Sequence, residues 1–131
     1  MKNLIITCVA MMAITTIFSC KKKDDVQPTE TAKLTITTPV MHQTYHTGDT
    51  VRILGTATNV TNLHGYHVAI LNSNSDTLFY MEKEIHAVSL SIDTMWVNTV
   101  TAAQELNVIV SSPINHDGDE VKKEIPIMVQ P

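Results

Sequence analysis

The chain has 131 residues, with 13 acidic against 9 basic side chains and a formal net charge of −4 at pH 7. This acidic balance argues against nucleic acid as a partner, because binding to phosphates requires a basic surface. The four glycines are all isolated, which excludes a glycine-rich phosphate loop, and the length suits a single domain.

The chain begins with Met-Lys-Asn, followed by the apolar run LIITCVAMMAITTIF and then Ser19-Cys20. A short positive segment, an apolar core and a small residue before a cleavage point predict a cleaved signal peptide over residues 1–19. The alternative is an uncleaved anchor helix, but the run is shorter than the ~20 residues that a membrane-spanning helix needs.

The segment Ile17-Phe18-Ser19-Cys20 resembles the lipobox of bacterial lipoproteins, although Phe18 stands where that family has a small residue. The resemblance implies that Cys20 carries lipid such as diacylglyceryl and palmitate, becomes the new N-terminus and anchors the chain to a membrane. The following residues, CKKKDD, resemble the export signal of surface-exposed lipoproteins of Bacteroidota. This implies an outer-membrane protein exposed at the cell surface, with a periplasm-facing domain as the alternative. Cys8 leaves with the signal peptide, so no second thiol remains for a disulfide.

Residues 20–32 are charged and polar after the cysteine, which predicts a flexible tether. In residues 33–131 apolar side chains alternate with polar ones, which predicts one domain built from strands. Seven runs show this alternation: KLTITTPV, DTVRILGTAT, LHGYHVAILN, DTLFYMEKEI, SLSIDTMWVNTV, ELNVIVSS and EVKKEIPIMVQ.

Turn-forming clusters separate several of these runs, and Asp117-Gly118 indicates a hairpin because glycine accepts the positive φ of a tight turn. Trp96 is the aromatic residue that we expect in the core of the domain. Pro126 cannot donate to a ladder, so the last strand is predicted at a sheet edge or after a bulge.

Seven short strands predict an all-β fold, a seven-stranded antiparallel β-sandwich. An Ig-type disulfide is absent from the predicted mature sequence, which favours a fibronectin-III-like or bacterial Ig-like variant. The segments TPVMHQTYHTGDTV, LHGYHVAI, MWVNTV and INHDGDEVKKEI resemble the small Ig-like domains of Bacteroidota lipoproteins. That resemblance implies the sandwich and transfers no activity.

Six histidines are the main candidates for chemistry, because imidazole is a common metal ligand. In an Ig-like strand order the loops after the second, fourth and sixth strands lie at one end of the sandwich. These loops hold His64, His86 and His116, with Asp117 beside the last. The sequence therefore offers a site for Zn(II) or Cu(II). The alternative is three separate solvated histidines and no cofactor.

The other three histidines are predicted outside this group. His42 and His46 fall in the loop after the first strand, at the opposite end of the sandwich. His67 alternates with buried positions, so we expect it on the exposed face of its strand.

Residues 115–119 resemble the start of a calcium loop through Asn115, Asp117 and Asp119. Glu120 replaces the required glycine and Pro126 the bidentate glutamate, so a hairpin turn is the better interpretation.

Catalytic motifs such as G-x-S-x-G and H-E-x-x-H do not occur in the sequence, and we expect no enzyme activity. Asp93 with Glu82 or Glu84 is the one carboxylate pair to consider, but charges at strand ends are usually only solvated.

Three segments, DTV, DTL and DTM, resemble the Asp-Thr-apolar O-glycosylation sequon of Bacteroidota. The resemblance implies Thr50 and Thr77 as acceptors. Thr94 is expected to point inward beside Trp96, which excludes a glycan there. The alternative is that Asp-Thr is simply a common dipeptide at the start of a strand.

Taken together, the sequence predicts a lipid-anchored, surface-exposed, non-catalytic binding or accessory module. Its partners would be the membrane, through the N-terminal lipid, and a protein or glycan at the cell surface. The alternative function is a metal-binding lipoprotein that uses the loop histidines for Zn or Cu.

Overall fold

The computed structural model describes residues 32–131, which form eight β-strands in two sheets. The predicted signal peptide, Cys20 and the tether up to residue 31 lie outside the described residues. Within the described part, no helix is long and apolar enough to cross a membrane. The strands are β1 (Lys33–Thr38), β2 (Thr44–His46), β3 (Thr50–Leu63), β4 (Tyr66–Leu71), β5 (Thr77–Lys83), β6 (Ala87–Val97), β7 (Gln104–Pro113) and β8 (Glu120–Gln130).

The two sheets have the strand orders β1-β3-β6 and β2-β8-β7-β4-β5. β2 pairs with β8 in parallel, and the other pairs are antiparallel. If β2 is set aside, each strand has the same neighbours within its sheet as the corresponding strand of an Ig-like sandwich. The prediction of an all-β sandwich is therefore confirmed.

The predicted number of seven strands is wrong, because residues 44–46, which the sequence places in a loop, form the strand β2. This strand has three residues, of which only Tyr45 is buried. It pairs with residues 128–130 of β8 and so makes the second sheet mixed. Three residues are too short to produce a periodic pattern, so the sequence carries no signal for this strand.

Alternating apolar side chains from both sheets form one core. In β4, Tyr66, Val68 and Ile70 are buried, whereas the residues between them are half-buried. Trp96 is 9% exposed and belongs to this core, as predicted. The core consists of Tyr45, Val51, Ile53, Ala57, Leu63, Tyr66, Val68, Ile70, Leu90, Ile92, Trp96, Leu106, Val108, Val110, Ile125, Ile127 and Val129.

Pro126 lies in β8 between two other strands, which differs from the predicted edge position. Its carbonyl oxygen accepts a hydrogen bond of 2.7 Å from the backbone N–H of His42, on the side of β8 away from β7. Because N and O of one strand residue face the same side, the missing N–H removes nothing from the β7–β8 ladder. The pairing with β2 begins only at Met128, so on the side of β8 away from β7 the proline faces the His42 backbone and not a strand.

Asn98 is a fully buried polar side chain that fastens the end of β6 to the β2–β3 turn. Its Nδ2 donates to the carbonyl of His46 at 3.0 Å, and its Oδ1 accepts from the backbone N–H of Val100 at 3.0 Å. Its backbone also bonds with Asp49 and Gly48, each at 2.8 Å. The Nδ2 group and the backbone of Asn98 therefore join the two segments, while Oδ1 fixes the chain just after β6.

We predict that Asn98→Ala lowers the free energy of unfolding by about 1–3 kcal/mol, because it removes a fully buried side chain and leaves the His46 carbonyl and the Val100 N–H without these partners. Chemical denaturation of the wild-type and variant proteins measures this difference. Asn74→Ala is the control, since Asn74 is exposed and only its backbone N–H is hydrogen-bonded. Equal stability of the two variants would contradict the role of Asn98.

Candidate functional site

Three short connections carry the histidines of interest. His64 and Gly65 link β3 to β4, and His86 is the last residue of the three that link β5 to β6. His116 lies in the six-residue connection between β7 and β8. The first two connections join one sheet to the other, whereas the third stays within the larger sheet.

The structure brings His64 into contact with both other histidines. The ring centroids of His64 and His116 are 4.2 Å apart, with the ring planes tilted by 56°. Those of His64 and His86 are 4.8 Å apart, with the planes at 87°. His64 is half-buried and the other two residues are exposed, so His64 is the inner member of a histidine cluster, defined here as His64, His86 and His116.

Hydrogen bonds to the end of β7 hold His64 in this position. The backbone N–H of His64 donates to the carbonyl of Pro113 at 3.0 Å. The buried hydroxyl of Ser112 donates to the carbonyl of Gly65 at 2.6 Å. Since β7 ends at Pro113, these bonds also place His64 beside the connection that contains His116.

Gly65 allows the β3–β4 connection to lie directly against the end of β5. A Cβ atom at this position would collide with the carbonyl oxygen of Lys83 and would lie 3.0 Å from the Cα of Glu84. Gly65 also has a φ of +110°, which side chains other than glycine rarely adopt. This contact brings Glu84 and His86 close to His64.

The surroundings of His64 favour the neutral form of its ring. Burial lowers the pKa of His64, the charges of His116 and His86 lower it further, and Glu84 acts in the opposite direction. Its Nδ1 atom is buried and has no hydrogen-bond partner among the described residues. A neutral imidazole is the form that binds metal ions.

The predicted fourth ligand, Asp117, is less directly connected to this cluster. Asp117 is exposed, and its backbone N–H donates to Oδ1 of Asn115 at 2.9 Å. The charged groups that shift the pKa of His64 include Glu84 but not Asp117. Glu84 is thus an acidic neighbour of His64, although its position in the sequence suggests it only as part of a carboxylate pair.

The cluster is not arranged as a finished metal centre. Among residues 32–131, no group of three or more His, Cys, Asp or Glu side chains is positioned to hold a metal ion as it stands. Metal-nitrogen bonds of about 2.0–2.1 Å in a tetrahedral site would place imidazole centroids roughly 5 Å apart. The observed separations of 4.2 and 4.8 Å are within about 1 Å of that value, so side-chain rotation is the change that binding would require.

The loop of residues 115–119 uses its own polar groups to form a turn. Oδ1 of Asn115 accepts from the backbone N–H groups of Asp117 and Asp119, and its Nδ2 donates to the Asp119 carboxylate at 2.8 Å. Gly118 has a φ of +94°, as the turn prediction requires. Asn72 and Asp76 form the same pattern in the β4–β5 loop, which supports a turn motif rather than a calcium loop.

The other histidines lie apart from the cluster. His46 pairs with Gln130 at the end of β8, whereas His116 precedes the start of that strand, roughly 35 Å away along its 11 residues. Nδ1 of His42 lies 4.0 Å from Glu105. His67 faces outward on β4, and its Nε2 lies 3.3 Å from Glu82 on β5.

The acidic residues considered as a catalytic pair do not come together. Asp93 is exposed on β6, where it lies 3.2 Å from Nη2 of Arg52. Glu82 is on the other sheet and pairs with His67. Each carboxylate therefore has its own basic partner.

The predicted glycosylation acceptors both lie at the surface. Thr50 and Thr77 are exposed and are the first residues of β3 and β5. Thr94 is partly buried and alternates in step with Ile92 and Trp96, which places it on the core side of β6. Glycosylation of Thr50 and Thr77 stays a prediction.

Comparisons with known proteins add little to this picture. No protein-family model matches the chain, and no curated protein matches it. Among solved structures, the chain is similar to the fibronectin(III)-like modules of Clostridium thermocellum CbhA, with 16% identity and a TM-score of 0.47. The match covers 75% of this chain and 96% of that chain. With so low an identity and TM-score, this similarity supports no conclusion about the chain. The β-sandwich is established by the strand order of the two sheets.

We predict that His64 makes the domain less stable in acid. Because the pKa of His64 in the fold is below 6.5, its contribution is fully present above pH 6.5 and is lost as the pH falls through the lowered value. The melting temperature of wild-type protein should therefore fall more between pH 7.5 and pH 5 than that of His64→Gln.

His42→Gln is the matched control for this comparison, because His42 is exposed and lies away from the cluster. Its melting temperature should follow that of the wild type across the same pH range. Identical pH profiles for His64→Gln and the wild type would contradict the assignment.

Proposed function

We propose that this chain is a lipid-anchored, non-catalytic binding module of the outer membrane, with its sandwich domain exposed at the cell surface. The lipobox-like segment that ends at Cys20 supports the anchor. The observation that supports binding is an open sheet edge bordered by exposed apolar side chains. Recognition would use this edge, with a protein segment as the partner.

The open edge is strand β5, which pairs with β4 and is the last strand of the larger sheet. Leu78 and Tyr80 of this strand are 38% and 56% exposed. Tyr80 stands opposite Ala69 on β4, which in turn stands opposite Ile109 on β7. An edge with unpaired backbone groups and neighbouring apolar contacts suits the addition of an extended strand from a partner.

We predict that Cys20→Ser moves the protein out of the membrane fraction, because the thiol that would carry the lipid is removed. Fractionation of cells that express either form, followed by immunoblotting, measures the change. Protease treatment of intact cells then tests exposure. Cleavage of the wild-type domain is expected, whereas full protection would favour the periplasm-facing alternative.

A photo-crosslinking amino acid at position 80 should capture a discrete protein partner on intact cells, because Tyr80 lies beside the open edge. The same amino acid at Thr58, which is exposed on the other sheet, is the control. Position-specific crosslinks at 80 are the expected result. Identical products from both positions, or none from position 80, would count against recognition through β5.

A second candidate function is metal binding at the histidine cluster. The observation that favours it is the convergence of both neighbouring rings on His64, whose buried Nδ1 has no hydrogen-bond partner among the described residues. The two functions use different parts of the domain. They are therefore tested separately.

A further inference from the structure

We propose that the histidine cluster binds a Zn(II) or Cu(II) ion with Glu84, rather than Asp117, as the acidic ligand. This inference rests on the second candidate function and specifies its ligand set. The site would join the β3–β4, β5–β6 and β7–β8 connections around one ion.

The position of Glu84 follows from the close approach of two connections. Gly65 touches the backbone of Lys83 and Glu84 because it has no Cβ. His64 is the residue before Gly65, and His86 is two residues after Glu84. One short segment therefore offers both an imidazole and a carboxylate to His64.

The two candidate acidic ligands, Glu84 and Asp117, lie in different surroundings. Glu84 is exposed, and its Cα lies against Gly65, the residue after His64. Asp117 is also exposed, but it belongs to a loop whose backbone is fixed by Asn115 in a turn. The Glu84 side chain can therefore approach an ion at the cluster from the segment that contacts Gly65.

His64 has the properties of an inner ligand. Its Nδ1 is buried without a partner among the described residues, and leaving a buried polar atom unpaired is unfavourable. His86 and His116 are exposed, so their rings have room to turn toward an ion held against His64. A rotation that changes the centroid distances by about 1 Å completes the arrangement.

The donor set identifies the class of metal. Three imidazole nitrogens and one carboxylate oxygen match four-coordinate Zn(II), and imidazole also binds Cu(II) strongly. Ca²⁺ and Mg²⁺ prefer six or more oxygen ligands and would not be held by these residues. The site should thus distinguish transition-metal ions from alkaline-earth ions.

The test is isothermal titration of Zn(II), Cu(II) and Mg²⁺ into the full-length protein, purified in detergent and stripped with EDTA. We expect one Zn(II) or Cu(II) per chain and no Mg²⁺ binding. His64→Gln should abolish the site, and Glu84→Gln should weaken it at least tenfold. Asp117→Asn and His42→Gln should leave it unchanged. Thermal melts of each stripped variant establish that it is folded.

The outcomes separate the ligand assignment from the function on which it rests. If Asp117→Asn weakens binding as much as or more than Glu84→Gln, the Glu84 assignment is overturned and metal binding by the histidines stands. Equal affinity of Glu84→Gln and the wild type likewise rejects Glu84. The absence of binding, or binding that His64→Gln does not change, overturns the metal site altogether.

Discussion

The described part of this protein depends on one constraint: two sheets must be held together without a disulfide, mainly by the packing of their side chains. Residues 32–131 contain no cysteine, so no disulfide joins the sheets there. Alternation along β4, and along parts of β6, β7 and β8, supplies the apolar face that each sheet buries against the other. A shift of one residue in any of these strands would turn its apolar side chains to solvent, which explains why the strands keep a single register.

Packing also determines where the loops are. The crossings between the sheets are short, so each of them can only join strand ends that lie near one another. His64 stands in a connection of only two residues, directly after the buried Leu63 and before the buried Tyr66. The histidine cluster is therefore a consequence of the sandwich and of a glycine that permits close contact.

The sequence predicts the seven longer strands well because each is long enough to show a period of two. It also places His64, His86 and His116 at one end, since Ig-like topology decides which loops are neighbours. It does not reveal β2, whose three residues depend on a partner in β8. Nor does it reveal the role of Asn98, because an asparagine that fills a core position looks the same as one in a loop.

Glu84 shows a different limit of prediction. Asp117 is adjacent to His116 in sequence and was the natural choice of ligand, whereas the approach of Glu84 to His64 arises from tertiary contact through Gly65. In the sequence near His64, the one indication of this contact is the glycine that directly follows the histidine. A glycine directly after a candidate ligand is compatible with a turn, a bulge or a close contact, and only the structure distinguishes these.

The unequal edges of the larger sheet have a consequence for self-association. A filament built by edge-to-edge strand pairing requires two usable edges on every copy. One edge of this sheet is the full strand β5, but the other is the three-residue β2, next to a stretch of β8 that contains Pro126. Growth through this sheet would therefore stop at a pair of copies joined through β5. Many copies of this domain can therefore be held at a high local concentration without polymerisation through that sheet.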